Sequence, residues 1–556
     1  MRVANVLLVL LCAASVAIVL IARLAVGPAD LYEKDQPKTL AYTADLLLHG
    51  RWSLPRDVIY QPATKPPLYN WTAAGVMSVS RSWGELAMKS PSVLGAIGVA
   101  LVLWSVSWHG RPARVPGLHE RHAHASPHLA IACLACAIWF SFGVEPRHGS
   151  VIRLLFLARP DMLQAFFLTA AWAAATCAAV GATRASPADA DRPSSTGSPR
   201  ATQASPLHES AVAMFFWLCV TGAILTKGPL ALLVLVYAIV AARIVGGSWR
   251  AITRLRPVIG LLGTLAIVGS WFLFAYRTDA EHVRSVMLGA EIVGRVTSET
   301  PEGIAKPFWY SAMWFVTKGG PFAMLALAAI ALLTMQKHRS RALEPVPLAA
   351  ALWLVVLIVG LTLPAGKRID YLLPTFAPAS YLAAWLLVCT CRRFSVPVAV
   401  AALLPLWMSF TLARATLTKF HEARERWSDD AVTFARDVRS RVGDDEPLLV
   451  IVRGKHPLTT LLRRHQGSAL DVGQLQRARW IVLPLIDTMA RPVMQSELLP
   501  LGFETVETRT RGVIGLFDMQ SPDRPTLEEV IAAQKQVATW TPEENPYRSP
   551  GTVWRE

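Results

Sequence analysis

The feature that most constrains this 556-residue chain is the repeated return of long apolar runs. A helix needs about 20 mostly apolar residues to cross a bilayer core. Runs of suitable composition fall at 3–26, 90–108, 129–145, 161–181, 211–226, 228–245, 257–276, 320–335, 347–364, 371–390 and 396–414, which gives about eleven spans. Composition points the same way: 53% of residues are hydrophobic and 17% are charged, against about 25% charged in soluble domains. The sequence therefore predicts an α-helical polytopic membrane protein. The first run follows Arg2 and exceeds the roughly 7–15 residues of a signal-peptide core, with no small-residue cleavage site after it. It reads as a retained anchor.

The net charge is +16, but its distribution argues for topology rather than nucleic-acid binding. Basic residues cluster in alternate loops, around Arg111 and Arg121, Arg184 and Arg200, Arg243 to Arg256, Lys337 to Arg341, and Arg392 to Arg393. The positive-inside rule makes those loops cytoplasmic. Segments 27–89, 146–160, the turn at Lys227, 277–319, 365–370 and everything after 415 are then extracytoplasmic.

Residues 1–414 form the expected transmembrane module, with 27–89 as its first external loop. The loop at 182–209 is rich in Ser, Pro and Ala and reads as disordered. Beyond 415 the text alternates: helix at 419–443, strand at 447–452, helix at 457–465, strand at 480–484, helix at 491–500, strand at 513–517. That pattern predicts a small extracytoplasmic α/β domain over 415–525, with a disordered tail at 526–556. The seven cysteines lie in or beside apolar runs, and Cys133-x-x-Cys136 has no partner pair, so they read as small core residues. His119, His122, His124 and His128 are irregularly spaced on the cytoplasmic side and read as a solvated loop.

Ionisable groups at a membrane boundary are costly and default to functional hypotheses. Asp35 lies just beyond the first span; the plain alternative is a surface pair with Lys34 or Lys38. Lys65 opens Lys-Pro-Pro-Leu-Tyr69-Asn-Trp71, where two prolines fix an extended entry. Its ammonium can pair with a phosphate or simply extend toward headgroups. Arg159 and Asp161 sit in Leu-Ala-Arg-Pro-Asp-Met162, where Pro160 and Asp161 also suit a helix start. Lys227 sits in Leu-Thr-Lys-Gly-Pro229, at a helix-breaking turn. Lys367 and Arg368 mark another external helix end, and Arg295 lies in a mixed-charge loop. The loop charges place all of these on one side of the membrane, as a single site combining carboxylates with cations requires.

These segments resemble the membrane glycosyltransferases of the GT-C class. They are similar in particular to glycosyltransferase family 39, which includes dolichyl-phosphate-mannose protein mannosyltransferases and bacterial aminoarabinose transferases. The resemblance is carried, in order over about residues 30–380, by Asp35-Gln-Pro, Ala44-Asp-Leu-Leu-Leu-His-Gly-Arg-Trp-Ser-Leu-Pro55, Lys65-Pro-Pro-Leu-Tyr-Asn-Trp71, Leu157-Ala-Arg-Pro-Asp-Met162, Leu225-Thr-Lys-Gly-Pro229, Pro307-Phe-Trp-Tyr310, and Gly366-Lys with Tyr371-Leu-Leu-Pro374. It implies inverting transfer of a sugar from a polyprenyl-phosphate donor to a lipid, protein or glycan acceptor outside the cytoplasm, from a protein of the inner (plasma) membrane. By that resemblance Asp35 is the principal catalytic candidate and Asp161 a second carboxylate needed for activity. Lys65 contacts donor phosphate, supported by Arg159 or Lys227; Tyr69, Arg295, Lys367 and Arg368 are secondary substrate contacts. Gln36 and Thr64 stand where relatives often carry acids, one of which helps hold a metal. No cofactor is therefore expected, with a divalent metal as the alternative. His148 and His282 lie on the same side, but nothing ties them to a metal. A transporter or flippase of lipid-linked sugars would also carry many spans and buried charges. The long polar first loop, odd span count and folded tail argue against it.

Overall fold

A computed structural model of the chain describes residues 2–26, 36–57, 61–81, 85–109, 127–143, 151–155, 157–184, 206–294, 306–338, 344–443, 446–450, 478–485, 513–518, 520 and 526. The helices, in order, are α1 (Arg2–Val26), α2 (Gln36–His49), α3 (Leu68–Ser80), α4 (Glu85–His109), α5 (Pro127–Phe140), α6 (Val151–Leu154), α7 (Asp161–Arg184), α8 (Pro206–Lys227), α9 (Leu232–Ile244), α10 (Arg250–Arg254), α11 (Pro257–Thr278), α12 (Ala280–His282), the π-helical α13 (Val283–Val293), α14 (Tyr310–His338), α15 (Pro345–Thr362), α16 (Leu373–Arg393), α17 (Val398–Ala401) and α18 (Leu403–Arg441). Among the described residues, 9 helical stretches are long and apolar enough to cross a membrane, and two shorter apolar helices occupy Pro127–Phe140 and Pro229–Ile244. Together they fall at the eleven expected positions. The chain is a multi-pass membrane protein.

The bundle is layered by residue size. α16 is central, with 83% of its most apolar 18-residue window buried, against 17% for α11 at the lipid-facing edge. Small residues let neighbours close on α16: Ala377, Ala379, Ser380, Ala383 and Ala384 are all fully covered. Without a hydrophobic force between helices in lipid, such close approach supplies the packing energy. α16 contacts α5, α14 and α15, while α7 lies between α4 and α8. At Gly95 of α4 an added Cβ would stand 2.8 Å from the Met162 carbonyl oxygen, so only glycine admits the start of α7 this closely.

The run expected at 320–335 is the second part of a longer helix. α14 starts at Tyr310 and breaks at Gly320, which takes φ 59° and ψ −141° before Pro321 restarts the helix. Glycine tolerates that backbone, and proline suits a first helical turn.

The tail begins with α18, which is continuous through residue 441. Three strands follow: β1 (Leu448–Val450), β2 (Trp480–Leu485) and β3 (Val513–Asp518). They form one sheet in the order β1-β2-β3, with β1 and β2 parallel and β2 and β3 antiparallel. The expected helices at 457–465 and 491–500 lie outside the described residues, as do the loop 185–205 and all but one residue of 521–556.

Candidate functional site

The first external loop folds around a buried carboxylate. Asp45 of α2 is 1% exposed. Its Oδ2 accepts from the Arg56 amide at 2.7 Å, and its Oδ1 faces Arg51 Nη1 at 3.0 Å and His49 Nδ1 at 2.9 Å. Asp57 closes a second turn by accepting from the Gln61 amide at 2.9 Å. The loop is then clamped to the bundle. Trp271 Nε1 of α11 donates to Ser53 O, and Trp71 Nε1 of α3 donates to Trp52 O, both at 2.9 Å. His282 Nε2 lies 3.1 Å from Ala63 O. Leu54 and Ala63 pack with Leu225, Trp271 and Met287. Lys65 is half-buried, three residues before the start of α3.

The segment 157–160 joins three of the motifs read from sequence. The Ala158 amide donates to Gln36 Oε1 at 2.9 Å. Ser92 Oγ of α4 donates to the Leu157 and Arg159 carbonyls. Tyr69 OH lies 3.5 Å from Leu157 O and 3.5 Å from Ser92 Oγ. Burial raises the Tyr69 phenol above its usual pKa, so it remains a neutral donor.

This framework carries a cluster of buried charges. Asp161 opens α7, and its Oδ1 accepts from Lys227 Nζ at the last residue of α8. Gly228, at φ +88°, turns the chain immediately after Lys227, a conformation that favours glycine. Arg159 Nε lies 3.5 Å from Asp161 Oδ2, and its Nη1 is 2.8 Å from Asp370 Oδ2. Asp370 Oδ1 lies 3.5 Å from Arg153 Nη1 of α6. Lys227 Nζ also sits over the Tyr371 ring, 4.2 Å from its centroid. Asp161, Asp370, Arg159 and Arg153 are each 4–6% exposed.

Among the described residues the cluster thus joins three cations, Arg153, Arg159 and Lys227, to two carboxylates, Asp161 and Asp370. No three His, Cys, Asp or Glu side chains converge among the described residues, and both carboxylates already face cations.

Of the residues singled out in the sequence, Arg159, Asp161 and Lys227 come together here, Tyr69 supports the segment that bears Arg159, and Lys65 is half-buried in the first loop. Lys367 is buried, and its ammonium donates to Pro364 O at 2.8 Å and Lys306 O at 3.0 Å. Arg368 is half-buried, and its carbonyl accepts from the Tyr371 amide. Asp35, Arg295 and His148 lie outside the described residues. Arg153 and Asp370 did not stand out in the sequence. Asp370 is flanked by Lys367 and Arg368, and the arginines it meets lie more than 200 positions away. The one local signal is that both are ionisable groups at the ends of apolar runs.

No family model and no curated protein matches the chain. Solved structures do match. ArnT from Cupriavidus metallidurans bound to undecaprenyl phosphate superposes with a TM-score of 0.57 at 16% identity, covering 92% of this chain and 98% of that one. Its apo form gives 0.57 at 17% identity, over 90% and 97%. The archaeal oligosaccharyltransferase AglB from Archaeoglobus fulgidus matches at a TM-score of 0.43 and 11% identity, over 91% and 74%. At these identities the likeness is one of fold: the chain is an α-helical polytopic membrane protein with a GT-C fold like that of ArnT.

Proposed function

We propose that this protein is an integral-membrane glycosyltransferase. It moves a sugar from a polyprenyl-phosphate donor to a lipid, protein or glycan acceptor on the extracytoplasmic side, with inversion at the sugar carbon. The observation that carries this reading is the buried cluster of Arg153, Arg159 and Lys227 with Asp161 and Asp370, set where α7 begins and α8 ends. A phosphate on a long apolar tail suits cations at such a place, and Lys65 of the first loop is assigned to the same phosphate. ArnT, which shares the fold, was solved with undecaprenyl phosphate. The alternating basic loops support an extracytoplasmic site.

The chemistry follows from charge. The donor is a phosphodiester with one negative charge. Transfer breaks the bond between the sugar carbon and the phosphate oxygen and forms one to the acceptor oxygen. The departing lipid phosphate becomes a monoester, which carries nearly two charges at pH 7 because its second pKa is about 6. Cations facing the phosphate therefore hold the leaving group more strongly than the donor. That differential is catalytic. Asp161 keeps Lys227 and Arg159 in place. Asp35, next in the chain to Gln36, is assigned to the acceptor hydroxyl, whose proton it accepts as the sugar transfers. For a phosphate acceptor no strong base is needed, and Asp35 would orient the acceptor.

The test uses full-length protein in proteoliposomes with a radiolabelled polyprenyl-phosphate sugar and an extract of envelope acceptors. Label appearing in covalent product is the expected result. Intact labelled lipid crossing the bilayer with no product would replace this reading with a flippase. The acceptor itself is reached by comparing glycolipids and glycoproteins of a deletion strain by mass spectrometry.

A further inference from the structure

We propose that Asp370 is a positioning residue for the donor phosphate. It fixes the guanidinium groups of Arg159 and Arg153 so that the phosphate meets a preset pair of cations. The proposal rests on the reading of the cluster as a polyprenyl-phosphate site, and it assigns a role that the sequence motifs did not suggest.

Four observations support it. First, one carboxylate serves two arginines from different segments. Oδ2 takes Arg159 at 2.8 Å, and Oδ1 faces Arg153 at 3.5 Å. A shared carboxylate lowers the repulsion between two buried guanidinium groups. Second, Arg159 donates from Nη1 to Asp370 at 2.8 Å, while Asp161 faces its Nε at 3.5 Å as an ion pair without a hydrogen bond. The Asp370 bond therefore orients the guanidinium plane, on which phosphate recognition by arginine depends. Third, Asp370 stands on a braced segment. It lies in the tight turn Ile369–Leu372 that opens α16, and Lys367 pins the preceding strand of chain by donating to Pro364 O and Lys306 O. Fourth, the next residue, Tyr371, places its ring under Lys227. The dipeptide Asp370-Tyr371 thus supports both the arginine side and the lysine side of the site.

The opposite reading makes Asp370 a stand-in anion that the phosphate displaces. Its burial at 6% and its place in a helical turn give it nowhere to retreat. The two readings predict opposite signs on removal. A positioning carboxylate weakens phosphate binding when lost, whereas a displaced competitor strengthens it.

The experiment compares wild type, Asp370→Asn and Asp370→Glu as full-length protein in nanodiscs. It measures stabilisation by undecaprenyl phosphate in thermal unfolding, its binding constant, and donor KM and kcat. Losing a charge-assisted contact predicts binding weaker by roughly ten- to a hundredfold in Asp370→Asn, with donor KM rising in step and kcat moving less. Asp370→Glu keeps the charge but displaces it, and should bind with intermediate strength. Should Asp370→Asn fail to accumulate, Asp370→Glu decides alone. Variants that bind undecaprenyl phosphate as well as wild type, or better, overturn the role of Asp370. Wild-type protein that gains no stability from undecaprenyl phosphate overturns the donor reading itself, and this role with it.

Discussion

Asp161 and Lys227, 66 positions apart, form a buried ion pair that joins the first turn of α7 to the last residue of α8. Each charge also suits its helix terminus, an acid in the first turn of α7 and a base in the last turn of α8. Breaking a buried pair by removing one partner leaves an uncompensated charge and costs about 3–5 kcal/mol, whereas removing both costs less. Lys227→Met and Asp161→Asn should each lower thermal stability in detergent clearly, and the double variant should recover part of that loss. Transfer activity should stay low in the double variant, because Lys227 also serves the phosphate. Strictly additive losses in the thermal melts would show that the pair is not coupled.

The first loop yields a second prediction, with separate outcomes for its two candidates. Lys65→Ala removes a cation assigned to the donor phosphate while leaving the Trp271 and His282 clamps intact. Donor KM should rise roughly tenfold or more, the value of one charged contact. Unimpaired turnover would remove Lys65 from the phosphate clamp. Asp35→Asn should abolish transfer to a hydroxyl acceptor with normal expression, the expected result for a general base. Substantial residual transfer would reassign Asp35 to orientation and point to a phosphate acceptor.

Which parts of the site were legible in the sequence follows from the range of each interaction. The eleven apolar helices were legible because hydropathy is local. Arg159, Asp161 and Lys227 were legible because charge beside an apolar run is anomalous wherever it occurs. The pairing of Asp370 with Arg159 spans 211 positions, and no local pattern encodes it. Lys367 shows a different limit. Its charge is visible in the sequence, but its partners are the Pro364 and Lys306 carbonyls, which side-chain patterns cannot show. Gln36 shows a related limit: its Oε1 ties α2 to the Ala158 amide, 122 positions away.

The cations assigned to the phosphate also set how the product behaves. Undecaprenyl phosphate, as a monoester, should inhibit transfer with a lower inhibition constant than the KM of the diester donor. Its grip should depend on pH. Below about pH 6 the monoester takes up a proton and carries one charge rather than two, so the inhibition constant should rise as pH falls through that value. The diester donor has no such proton, and its KM should stay flatter over the same range. Initial rates at pH 5.5 and 7.5 with added undecaprenyl phosphate measure both. An inhibition constant that does not change with pH would argue that the cluster does not read the second charge.

The last prediction concerns geometry rather than charge. Asp161 owes its position to the close approach of α4 and α7, where a Cβ on Gly95 would stand 2.8 Å from the Met162 carbonyl oxygen and 3.0 Å from Leu163 Cα. The obstacle is backbone, so it cannot rotate away. Gly95→Ala should push the start of α7 outward, at a cost of about 1–3 kcal/mol typical of overpacking. Because Asp161 is the first residue of that helix, its grip on Lys227 and Arg159 shifts with it. Catalysis is sensitive to misplacement of about 1 Å, so kcat should fall more than stability alone explains. Gly75→Ala on α3, where an added Cβ meets nothing within 4 Å, is the matched control and should leave stability and transfer near wild type. Equal kcat in Gly95→Ala and Gly75→Ala would show that the α4–α7 contact does not govern the position of Asp161.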